Sequence, residues 1–522
     1  MSAAPGTADA TAAVPSRMAR HRTRGWHAFL RRPVVAVLAV TALAAFLRFF
    51  GLTSPGDLVF DEAYYPKAGC ILIGGSDEMC RIENSGETYW REQQWDVGSW
   101  VHPPLGKWQI GLGIKAFGMD PFGWRVTSAL AGTLVVAFAA MLAWVLLRSV
   151  VWVYVAGLLL ATEHLNIVMS RTALLDVHLE LWVVLGFLLL ALDKRWIDRR
   201  RPPDRWDDEE APPPRIASPV WRPWRFASGV AFGAALSVKW SGAMALIGAI
   251  ALTYAWETVR RHRDGTSWGR AFARAFARET FGMVLAFGIV PAGVFMLTWL
   301  PWLHHFGWDW GKWVHTQAES IEYHRETIQE FAKDPETGAM TPTHPYYSRP
   351  WQWFLIWRPT SFWTQDLGAD IREILAIGNP AVFWGAIVAI PWAAVLGWRR
   401  RDWTFAFPVV AVLSQYVPWL FVSRPTFFFY ALPLTPFMVL AIVAVLRELS
   451  DATLVVRERG GEVATDPETG APAVSTAYPW RPFVWIYLIV AVGLSWWFWP
   501  VLTGGRISDL RWHAIVWFVN WI

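Results

Sequence analysis

The sequence predicts an all-α polytopic membrane protein with about eleven transmembrane helices. Hydrophobic residues make up 54% of the 522-residue chain and charged residues only 17%, whereas soluble domains carry about 25% charged residues. The chain also contains 38 Trp, a residue type that is enriched at membrane surfaces. Its arginines stand in short blocks between long apolar runs. This composition argues against a disordered chain, a fibrous repeat or a disulfide scaffold.

Eleven apolar runs approach the length of about 20 residues that a helix needs to cross the hydrocarbon core of a membrane. A four-residue segment, Lys239-Trp240-Ser241-Gly242, separates two of these runs and predicts a tight turn at one membrane face. The runs cover residues 34–51, 123–147, 149–169, 174–192, 226–241, 242–257, 280–302, 377–397, 404–422, 426–446 and 482–500.

Positive charges orient these spans, because Lys and Arg collect on the cytoplasmic side. Arginines crowd the segment before the first run, which predicts a cytoplasmic N-terminus and, with eleven spans, an external C-terminus. The two long loops at 52–121 and 303–376 then face outside, and together they hold 11 Lys/Arg against 20 Asp/Glu. Arginine blocks such as Arg199-Arg200-Arg201 and Arg399-Arg400-Arg401 fall on the cytoplasmic side.

The spans divide the chain into a cytoplasmic N-terminal tail over 1–33, a transmembrane domain over 34–500 and an extracytoplasmic C-terminal tail over 501–522. Inside the transmembrane domain, the charged segment 194–224 and the polar segment 448–480 are predicted to be solvated cytoplasmic loops. The first apolar run has no small-residue cleavage site, so we expect no secretory signal peptide. We find no internal repeat of the kind that marks many transporters.

Two adjacent carboxylates open the first external loop, in Phe60-Asp61-Glu62-Ala63. A carboxylate just above a membrane face is suited to act as a general base, with its neighbour as a hydrogen-bond or metal partner. Two solvated loop acids are the alternative interpretation.

A proline pair follows His102 in the same loop, in His102-Pro103-Pro104-Leu105-Gly106-Lys107. The prolines favour an extended backbone before a helix entrance, which would fix the position of His102. An incidental His before an ordinary helix start is the alternative.

Several charged residues lie at the outer ends of the spans. Charges at membrane depth are costly and are functional by default. Snorkelling side chains and a structural pair between Arg171 and Asp176 are the alternatives. Four cations near one face, below a loop that carries carboxylates, indicate an anion at the membrane surface, and a lipid phosphate has the right charge and place. The residues are Arg125, Arg171, Asp176, Lys239 and Arg424.

The second external loop combines aromatic residues with an arginine, in a segment that includes Arg349 and Trp351. Such a mixture suits a sugar or a phosphate, although an interfacial aromatic belt explains most of the Trp residues. We find no HExxH or CxxC motif, and therefore assign no metal ligands. The two cysteines, Cys70 and Cys80, are ten positions apart in a loop expected to be oxidising, and we predict a disulfide between them.

Together these segments resemble protein O-mannosyltransferases, glycosyltransferase family 39 of the GT-C superfamily. The number of spans, the cytoplasmic N-terminus and the large external loops are also similar to that family. Eukaryotic members insert a β-trefoil domain in the later external loop, for which 303–376 is too short, so the chain is similar to the bacterial, actinobacterial form that lacks it. The matching segments are Phe60-Asp61-Glu62, His102 to Lys107, Arg125, Arg171 to Asp176, Ser237-Val238-Lys239-Trp240-Ser241-Gly242, Ser348-Arg349-Pro350-Trp351 and Tyr430-Ala431-Leu432-Pro433.

The resemblance implies transfer of mannose from a polyprenyl-phosphate carrier to a Ser or Thr hydroxyl of a secreted or membrane protein, with inversion at the anomeric carbon. A hydroxyl is a poor nucleophile, so a carboxylate must accept its proton; we assign this role to Asp61 and a supporting role to Glu62. The leaving phosphate needs cations. We assign the donor phosphate and sugar to His102, Arg125, Lys239, Arg424 and Tyr430, and we treat Arg171, Asp176, Arg349 and Trp351 as acceptor or loop candidates.

Two other functions stay open from the residues alone. One is another GT-C transferase that moves a lipid-linked sugar onto a glycolipid, and the other is a lipid or ion transporter. His102 and the segment around Lys239 favour the protein-mannosylating branch, and the missing repeat argues against a transporter. The expected partners are the lipid-linked donor, membrane lipids and Ser/Thr-containing secreted proteins near the Sec translocon, without nucleic acid. No cofactor is assigned, and the need for a divalent metal stays open.

Overall fold

Helices make up most of the chain in the computed structural model, which describes residues 29–76, 78–81, 101–199, 220–324, 331–333, 340–342, 344–452 and 478–521. The predicted tail up to residue 28 and most of the predicted cytoplasmic loops at 194–224 and 448–480 lie outside the described residues. The helices of the first half are α1 (Pro33–Phe49), α2 (Tyr65–Leu72), α3 (Leu105–Phe117), α4 (Pro121–Leu147), α5 (Val150–Ala161), α6 (His164–Ser170), α7 (Leu175–Arg199), α8 (Pro223–Val238) and α9 (Gly242–Arg263).

The second half continues the helical architecture and adds short strands. Its helices are α10 (Trp268–Val284), α11 (Val290–His305), α12 (Trp310–Glu322), α13 (Pro350–Trp353), α14 (Pro380–Arg400), α15 (Trp403–Tyr416), α16 (Thr435–Asp451), α17 (Arg481–Thr503) and α18 (Asp509–Ile515). Short 3₁₀ turns cover Phe60–Ala63, Val417–Phe421, Phe428–Leu434 and Val519–Trp521, and one π-helical turn, Leu285–Ile289, joins α10 to α11. The strands are β1 (Phe331–Lys333), β2 (Met340–Pro342), β3 (Thr360–Asp366), β4 (Asp370–Ala376) and β5 (Arg506–Ser508).

Each of the eleven predicted apolar runs overlaps one or more of these helices and turns, although the ends of several runs extend beyond them. Within the described ranges, eight helical segments are long and apolar enough to cross a membrane, and the bent pair α5–α6 makes up to nine. The remaining two predicted spans, α1 with 17 residues and α8 with 16, are shorter. The protein is therefore a multi-pass membrane protein, and its helical architecture agrees with the predicted fold class.

The run at 149–169 is not one straight helix, because the chain bends by 62° between α5 and α6. Glu163 stabilises the break: one carboxylate oxygen accepts a hydrogen bond from the backbone N–H of Asn166 at 2.7 Å and caps α6. Its other oxygen accepts from the backbone N–H of Asn379 at 3.0 Å, just before α14. A carboxylate cap on a helix N-terminus satisfies donors that would otherwise lie unpaired in the membrane interior.

The core of the bundle lies around α7 and α16. Both helices have buried residues on almost every side, and a helix that is apolar all round is expected inside a bundle. α7 packs against α4 and α8, and α16 packs against α14 and α15. The first residues of α7 consequently reach the centre of one end of the bundle, where the loops after α1, α8 and α15 also converge.

A three-stranded antiparallel sheet covers part of that end, in the order β3-β4-β5. The β3–β4 hairpin turns at Gly368, whose φ of +83° lies in the left-handed region that glycine tolerates. β5 comes from the C-terminal segment, where Trp512 Nε1 donates a hydrogen bond to Glu373 at 2.6 Å. The residues predicted as a C-terminal tail therefore pack onto the fold as far as Trp521, and the sequence analysis did not predict these strands.

A disulfide closes the segment after α2. The structure bonds Cys70 to Cys80, as the two cysteines in one short loop predict. Gly75 lies against the bridge: a Cβ atom at this position would be 2.7 Å from each of the two sulfurs. The close approach explains why a glycine stands there.

Candidate active site

Asp61 lies in the 3₁₀ turn Phe60–Ala63, directly after the loop that follows α1. Phe60 holds the backbone in the left-handed region with a φ of +50°, which is unfavourable for a bulky residue. Its ring stacks on Phe362 of β3 at 4.5 Å and meets Phe429 edge-on at 5.6 Å. Aromatic packing from two distant segments thus offsets the strain and fixes the orientation of the turn that carries Asp61.

Glu62 and Arg125 form a buried ion pair directly behind this turn. Arg125 donates from Nε to Oε1 of Glu62 at 2.8 Å and from Nη2 to Oε2 at 2.7 Å. Its remaining N–H groups donate to the carbonyl oxygens of Leu52, Pro55 and Asp57. All five guanidinium donors are therefore used inside the protein.

Glu62 also accepts hydrogen bonds from two backbone N–H groups, those of Val59 at 2.9 Å and Ala173 at 2.8 Å. The carboxylate thereby joins the turn that carries Asp61 to the start of α4 and to the chain between α6 and α7. The sequence predicts Arg125 as one of the phosphate-binding cations, whereas the structure places its guanidinium in this buried network.

Arg171 caps the C-terminal end of α1. Its guanidinium donates hydrogen bonds to the carbonyl oxygens of Leu47, Arg48, Phe50 and Gly51 at 2.7 to 3.3 Å. The last carbonyls of a helix have no partner within the helix, so a cation at this position stabilises the helix end.

The carboxylate of Asp61 is half-buried and accepts a hydrogen bond from Tyr65. Burial raises the pKa of Asp61 from 3.8 to about 6; the ammonium of Lys239 opposes this rise and the carboxylate of Asp176 adds to it. A carboxylate with a pKa near 6 is ionised at neutral pH and is more basic than an ordinary Asp, which suits a general base.

A cavity of about 550 Å³ opens beside these charges, a volume typical of small-molecule sites. Five of the residues predicted from the sequence line it. Asp61 is not part of the wall, but its carboxylate interacts electrostatically with Lys239 and Asp176, which are part of it. The cavity is lined by His102, Asp176, Leu179, Val183, Lys239, Trp240, Ser241, Met244, His324, Gln415, Trp419, Phe421, Val422, Ser423, Arg424, Tyr430, Pro433 and Leu434.

Two cations face this cavity. Lys239 lies in the turn between α8 and α9, where its Nζ contacts Oδ2 of Asp176 at 2.7 Å and lies 5.1 Å from the ring centre of Tyr430. Arg424 lies 5.6 Å from the ring of Tyr430 and 5.9 Å from that of Trp419. In the described part of the chain no carboxylate pairs with Arg424, so its charge remains available to an anion in the cavity.

Two histidines also line the cavity. His102 and His324 lie with their ring centres 5.4 Å apart, and His324 stacks on Trp240 at 6.1 Å. Burial lowers the pKa of both histidines below the usual 6.5, and the charge of Lys239 lowers each further. Neutral imidazoles beside an indole ring offer hydrogen bonds and a flat apolar surface, which suits a sugar. Lys107 donates to the carbonyl oxygen of His102 at 2.8 Å and holds this segment in place.

The structure brings together some of the predicted residues and separates others. His102, Asp176, Lys239, Arg424 and Tyr430 line the cavity, whereas Arg349 and Trp351 lie outside its wall. Arg349 is exposed and donates from Nε to the hydroxyl of Tyr347 at 3.1 Å, and Trp351 is exposed on α13.

Four residues at or beside the cavity were not predicted from the sequence as site residues: Tyr65, Trp240, His324 and Trp419. Trp240 directly follows Lys239 in one of the segments that resemble the family, and this position could have indicated that it belongs to the site. His324 lies in a stretch without a motif, and nothing in the sequence distinguishes it. Among the described residues, no group of three or more His, Cys, Asp or Glu is placed to hold a metal ion.

Family models account for nearly the whole chain. Residues 38–318 match the model described as dolichyl-phosphate-mannose-protein mannosyltransferase. Residues 309–521 match the C-terminal four-transmembrane region of protein O-mannosyltransferase. The chain belongs to the protein mannosyltransferase family. It is therefore a membrane glycosyltransferase, as the resemblance of its motifs implies.

Curated relatives from actinobacteria support the same assignment. The chain is 29% identical to the polyprenol-phosphate-mannose–protein mannosyltransferase of Mycobacterium tuberculosis, over 96% of this chain and 92% of the relative. It is 28% identical to the enzyme of the same name from Corynebacterium glutamicum, over 93% and 92%.

The fold also matches a solved structure, that of the Saccharomyces cerevisiae protein O-mannosyltransferase Pmt1–Pmt2 complex bound to the sugar donor. The TM-score is 0.67 at 12% identity, with 95% of this chain and 94% of the other covered. The mannosyltransferase fold predicted from the sequence is thus confirmed.

Proposed function

We propose that this mannosyltransferase moves mannose from polyprenyl-phosphate-mannose to a Ser or Thr hydroxyl of a protein, with inversion at C1, and that Asp61 is the general base. The observation that carries the proposal is the position of the Asp61 carboxylate beside a cavity that holds Lys239 and Arg424. A base and a set of cations for the leaving group are the two requirements of this reaction.

In the proposed step the acceptor hydroxyl oxygen attacks C1 of mannose, while its proton passes to the carboxylate of Asp61. The bond between C1 and the phosphate oxygen breaks, and the polyprenyl phosphate leaves with an additional negative charge. Arg424, which has no carboxylate partner among the described residues, and Lys239 stabilise this charge. Asp176 holds the Lys239 ammonium at the cavity wall.

The aromatic and imidazole groups form the proposed sugar subsite. The ring of Tyr430 lies 5.1 Å from Lys239 and 5.6 Å from Arg424, and Trp240 and His324 stack on each other in the cavity wall. His102 is neutral and half-buried, which leaves its ring able to donate or accept a hydrogen bond to a sugar hydroxyl. We assign Glu62, Arg125 and Arg171 positioning roles, because their polar groups are engaged within the protein.

We further propose the orientation that the charges indicate, with the N-terminal tail at 1–33 in the cytoplasm and the cavity on the extracytoplasmic face of the domain at 34–500. The segment 501–522 then lies outside, and acceptors reach the site as they leave the Sec translocon. The excess of acidic residues in the two long loops supports this orientation. A cytoplasmic signal from a reporter fused at Ile522 would contradict it.

A transfer assay tests the activity directly. Membranes that contain the full-length protein are incubated with radiolabelled polyprenyl-phosphate-mannose and a Thr-rich peptide, and label is expected in the peptide. Label that appears in a glycolipid would instead indicate a lipid-directed transferase. Label that crosses the membrane without transfer would indicate a transporter.

A matched substitution controls for general effects on the first external loop. Asp57 lies four residues before Asp61 and is exposed, and only its backbone carbonyl takes part in the network around Arg125. Asp57→Asn removes the same charge as Asp61→Asn and should transfer mannose at the wild-type rate.

A further inference from the structure

A second polar cavity lies at the other end of the bundle. It has a volume of about 460 Å³ and is formed where α7, α9, α14 and α15 end or begin. Its charged residues are Lys194, Arg195, Arg263, Arg400, Arg401 and Asp402. With five cations and one carboxylate, the lining of this site, which we call the basic cavity, has a formal charge of about +4 at neutral pH. Ion pairs of Lys194 with Asp198 and of Arg400 with Glu448 offset two of these positive charges.

The basic cavity is separate from the transfer site. Asp176 and Lys194 lie on the same helix, α7, 18 residues apart, which corresponds to about 27 Å at 1.5 Å per residue. The hydrocarbon core of a membrane is about 30 Å thick. The two cavities therefore lie at opposite faces of the membrane.

The carboxylates near the basic cavity are already engaged. Asp193, Glu257 and Glu279 pair with Arg222, Arg225 and Arg261 in a buried network that joins α7, α8, α9 and α10. Asp402 accepts a hydrogen bond from the backbone N–H of Thr404 and caps α15. Asp193, Glu257 and Glu279 are thus balanced by arginines outside the cavity, and among the described residues Asp402 is the one carboxylate in the cavity wall.

Three of the five cations have no carboxylate partner in the part of the chain that the structure describes. Arg195 is half-buried and makes no ion pair, and Arg263 donates to the carbonyl oxygen of Arg401 at 2.9 Å. Arg401 itself lies 4.8 Å from the ring of Trp268. Lys194 and Arg400 pair with Asp198 and Glu448 at the solvent side.

The remaining wall of the basic cavity is apolar. It is formed by residues of α4, α7 and α15, among them Val145, Leu146, Trp403 and Phe407. A pocket that combines unpaired cations with an apolar wall at a membrane face matches an amphiphile with a phosphate head and an acyl chain. Basic pockets between transmembrane helices are a recurring mode of anionic lipid recognition.

We propose that the basic cavity binds a phosphate-bearing anion, and that this anion is the headgroup of an anionic phospholipid in the leaflet opposite the transfer site. The guanidinium groups of Arg195 and Arg401 contact the phosphate, and the apolar wall contacts the first part of an acyl chain. A bound lipid would hold together the ends of α7 and α9 at this face. At their other ends, α7 carries Asp176 and α9 begins shortly after Lys239.

Lipid retention in vesicles of stated composition tests the proposal. The full-length protein is reconstituted into phosphatidylcholine vesicles with increasing fractions of cardiolipin, and bound lipids are counted by native mass spectrometry. The wild type should retain cardiolipin selectively. Arg195→Gln together with Arg401→Gln should require a roughly 30-fold larger cardiolipin fraction, because each cation near an anionic headgroup contributes about a factor of five.

Two matched variants separate site binding from a general charge effect. Arg274→Gln together with Arg278→Gln removes two exposed arginines of α10, which do not line the cavity, and should retain cardiolipin as the wild type does. Arg195→Lys together with Arg401→Lys keeps the charge and should retain most of the binding. The proposal would be overturned if both double Gln variants lost cardiolipin equally. It would also be overturned if Arg195→Gln together with Arg401→Gln retained cardiolipin as the wild type does.

A last arm distinguishes a lipid from a soluble anion. Millimolar inorganic phosphate added to the same vesicles should leave cardiolipin bound, because it lacks the acyl chain. Displacement of cardiolipin by inorganic phosphate would overturn the lipid assignment in favour of a soluble phosphate. Thermal unfolding and peptide mannosylation by each variant report whether it is folded, since none of the substituted residues lies at the transfer site.

Discussion

Glu62 and Arg125 are joined by two hydrogen bonds, of 2.8 and 2.7 Å, and both side chains are almost fully buried. The pair lies directly behind Asp61 and links its turn to α4. A buried, bidentate carboxylate–guanidinium pair fixes geometry in both partners. The neighbour of the proposed base therefore acts on the position of Asp61 and does not itself reach the cavity.

We expect Glu62→Gln to destabilise the protein strongly, because it leaves the charge of Arg125 buried without a counter-charge. Breaking a buried pair in this way costs about 3–5 kcal/mol. Arg125→Lys should have a similar effect, since an ammonium cannot make five directed hydrogen bonds. Thermal unfolding, monitored by size-exclusion chromatography of heated samples, measures the loss of stability. Normal stability of Arg125→Lys with a raised KM for the donor would instead assign Arg125 to the phosphate.

Arg424→Gln should impair use of the donor. We expect kcat/KM for the lipid-linked donor to fall about 10- to 100-fold, the effect of losing one hydrogen bond to a charged group. The KM for the peptide should change little. Arg349→Gln is the matched control, because Arg349 is exposed and lies outside the cavity wall. If Arg349→Gln gives the larger loss, the donor phosphate lies in the second external loop.

Replacing Cys70 and Cys80 by Ser should lower the free energy of unfolding by about 2–3 kcal/mol, the value expected when a loop of ten residues is no longer closed. A reducing agent should lower the unfolding temperature of the wild type and leave the double variant unchanged. Complete thiol labelling of unreduced, denatured wild-type protein would show that the bridge does not form.

Hydropathy predicted the approximate positions of the long apolar helices, because a continuous apolar segment in a membrane has few alternatives to helical structure. It did not predict the break between α5 and α6, because Thr162-Glu163-His164 is a short polar interruption in a long apolar run. The break depends on the backbone of Asn379, which lies 216 residues from Glu163. The pairing of β5 with β4 also joins distant parts of the chain, and no local pattern encodes it.

The matched segments contained His102, Asp176, Lys239 and Tyr430 of the cavity, and the charge pattern at the span ends added Arg424, but neither showed which of the surrounding charges belong to the cavity. Arg125 and Lys239 both stand at the outer end of a span, and their sequence contexts do not separate them. The distinction comes from the tertiary neighbours, since Arg125 meets three loop carbonyls and Glu62, whereas Lys239 meets one carboxylate and an open cavity. Hydrogen-bond saturation is a property of the folded chain.

The rate of transfer should rise with pH around 6. A general base must be ionised to accept a proton, so kcat/KM should increase as the pH rises through about 6, the pKa of Asp61, and then level off. Lys239→Met removes a charge that lowers this pKa. In this variant the rise of kcat/KM should therefore occur at higher pH, and the plateau value of kcat/KM should be lower. An unshifted limb in Lys239→Met would show that another group titrates.

The same pKa bears on stability. Because the pKa of Asp61 is about 6 in the folded protein and 3.8 for an ordinary Asp, the folded state binds the proton more tightly than the unfolded state. This group therefore favours folding at low pH, and its contribution is lost as the pH rises through 6. At neutral pH the ionised carboxylate disfavours folding, and a neutral side chain at this position should not lower stability.

Asp61→Asn accordingly separates catalysis from folding. Asn retains the shape of Asp but cannot accept the proton of the acceptor hydroxyl, and removal of a general base costs about 10²–10⁴ in rate. We expect Asp61→Asn to abolish detectable transfer to the Thr-rich peptide, while its unfolding temperature at neutral pH equals or exceeds that of the wild type and it still binds the donor. Asp57→Asn should remain active.

A structural role for Asp61 predicts a different pattern, in which the Asn variant fails to accumulate or loses stability in parallel with activity. Near-wild-type transfer by a normally expressed Asp61→Asn protein would exclude Asp61 as the base, because an Asn side chain cannot accept the proton of the hydroxyl.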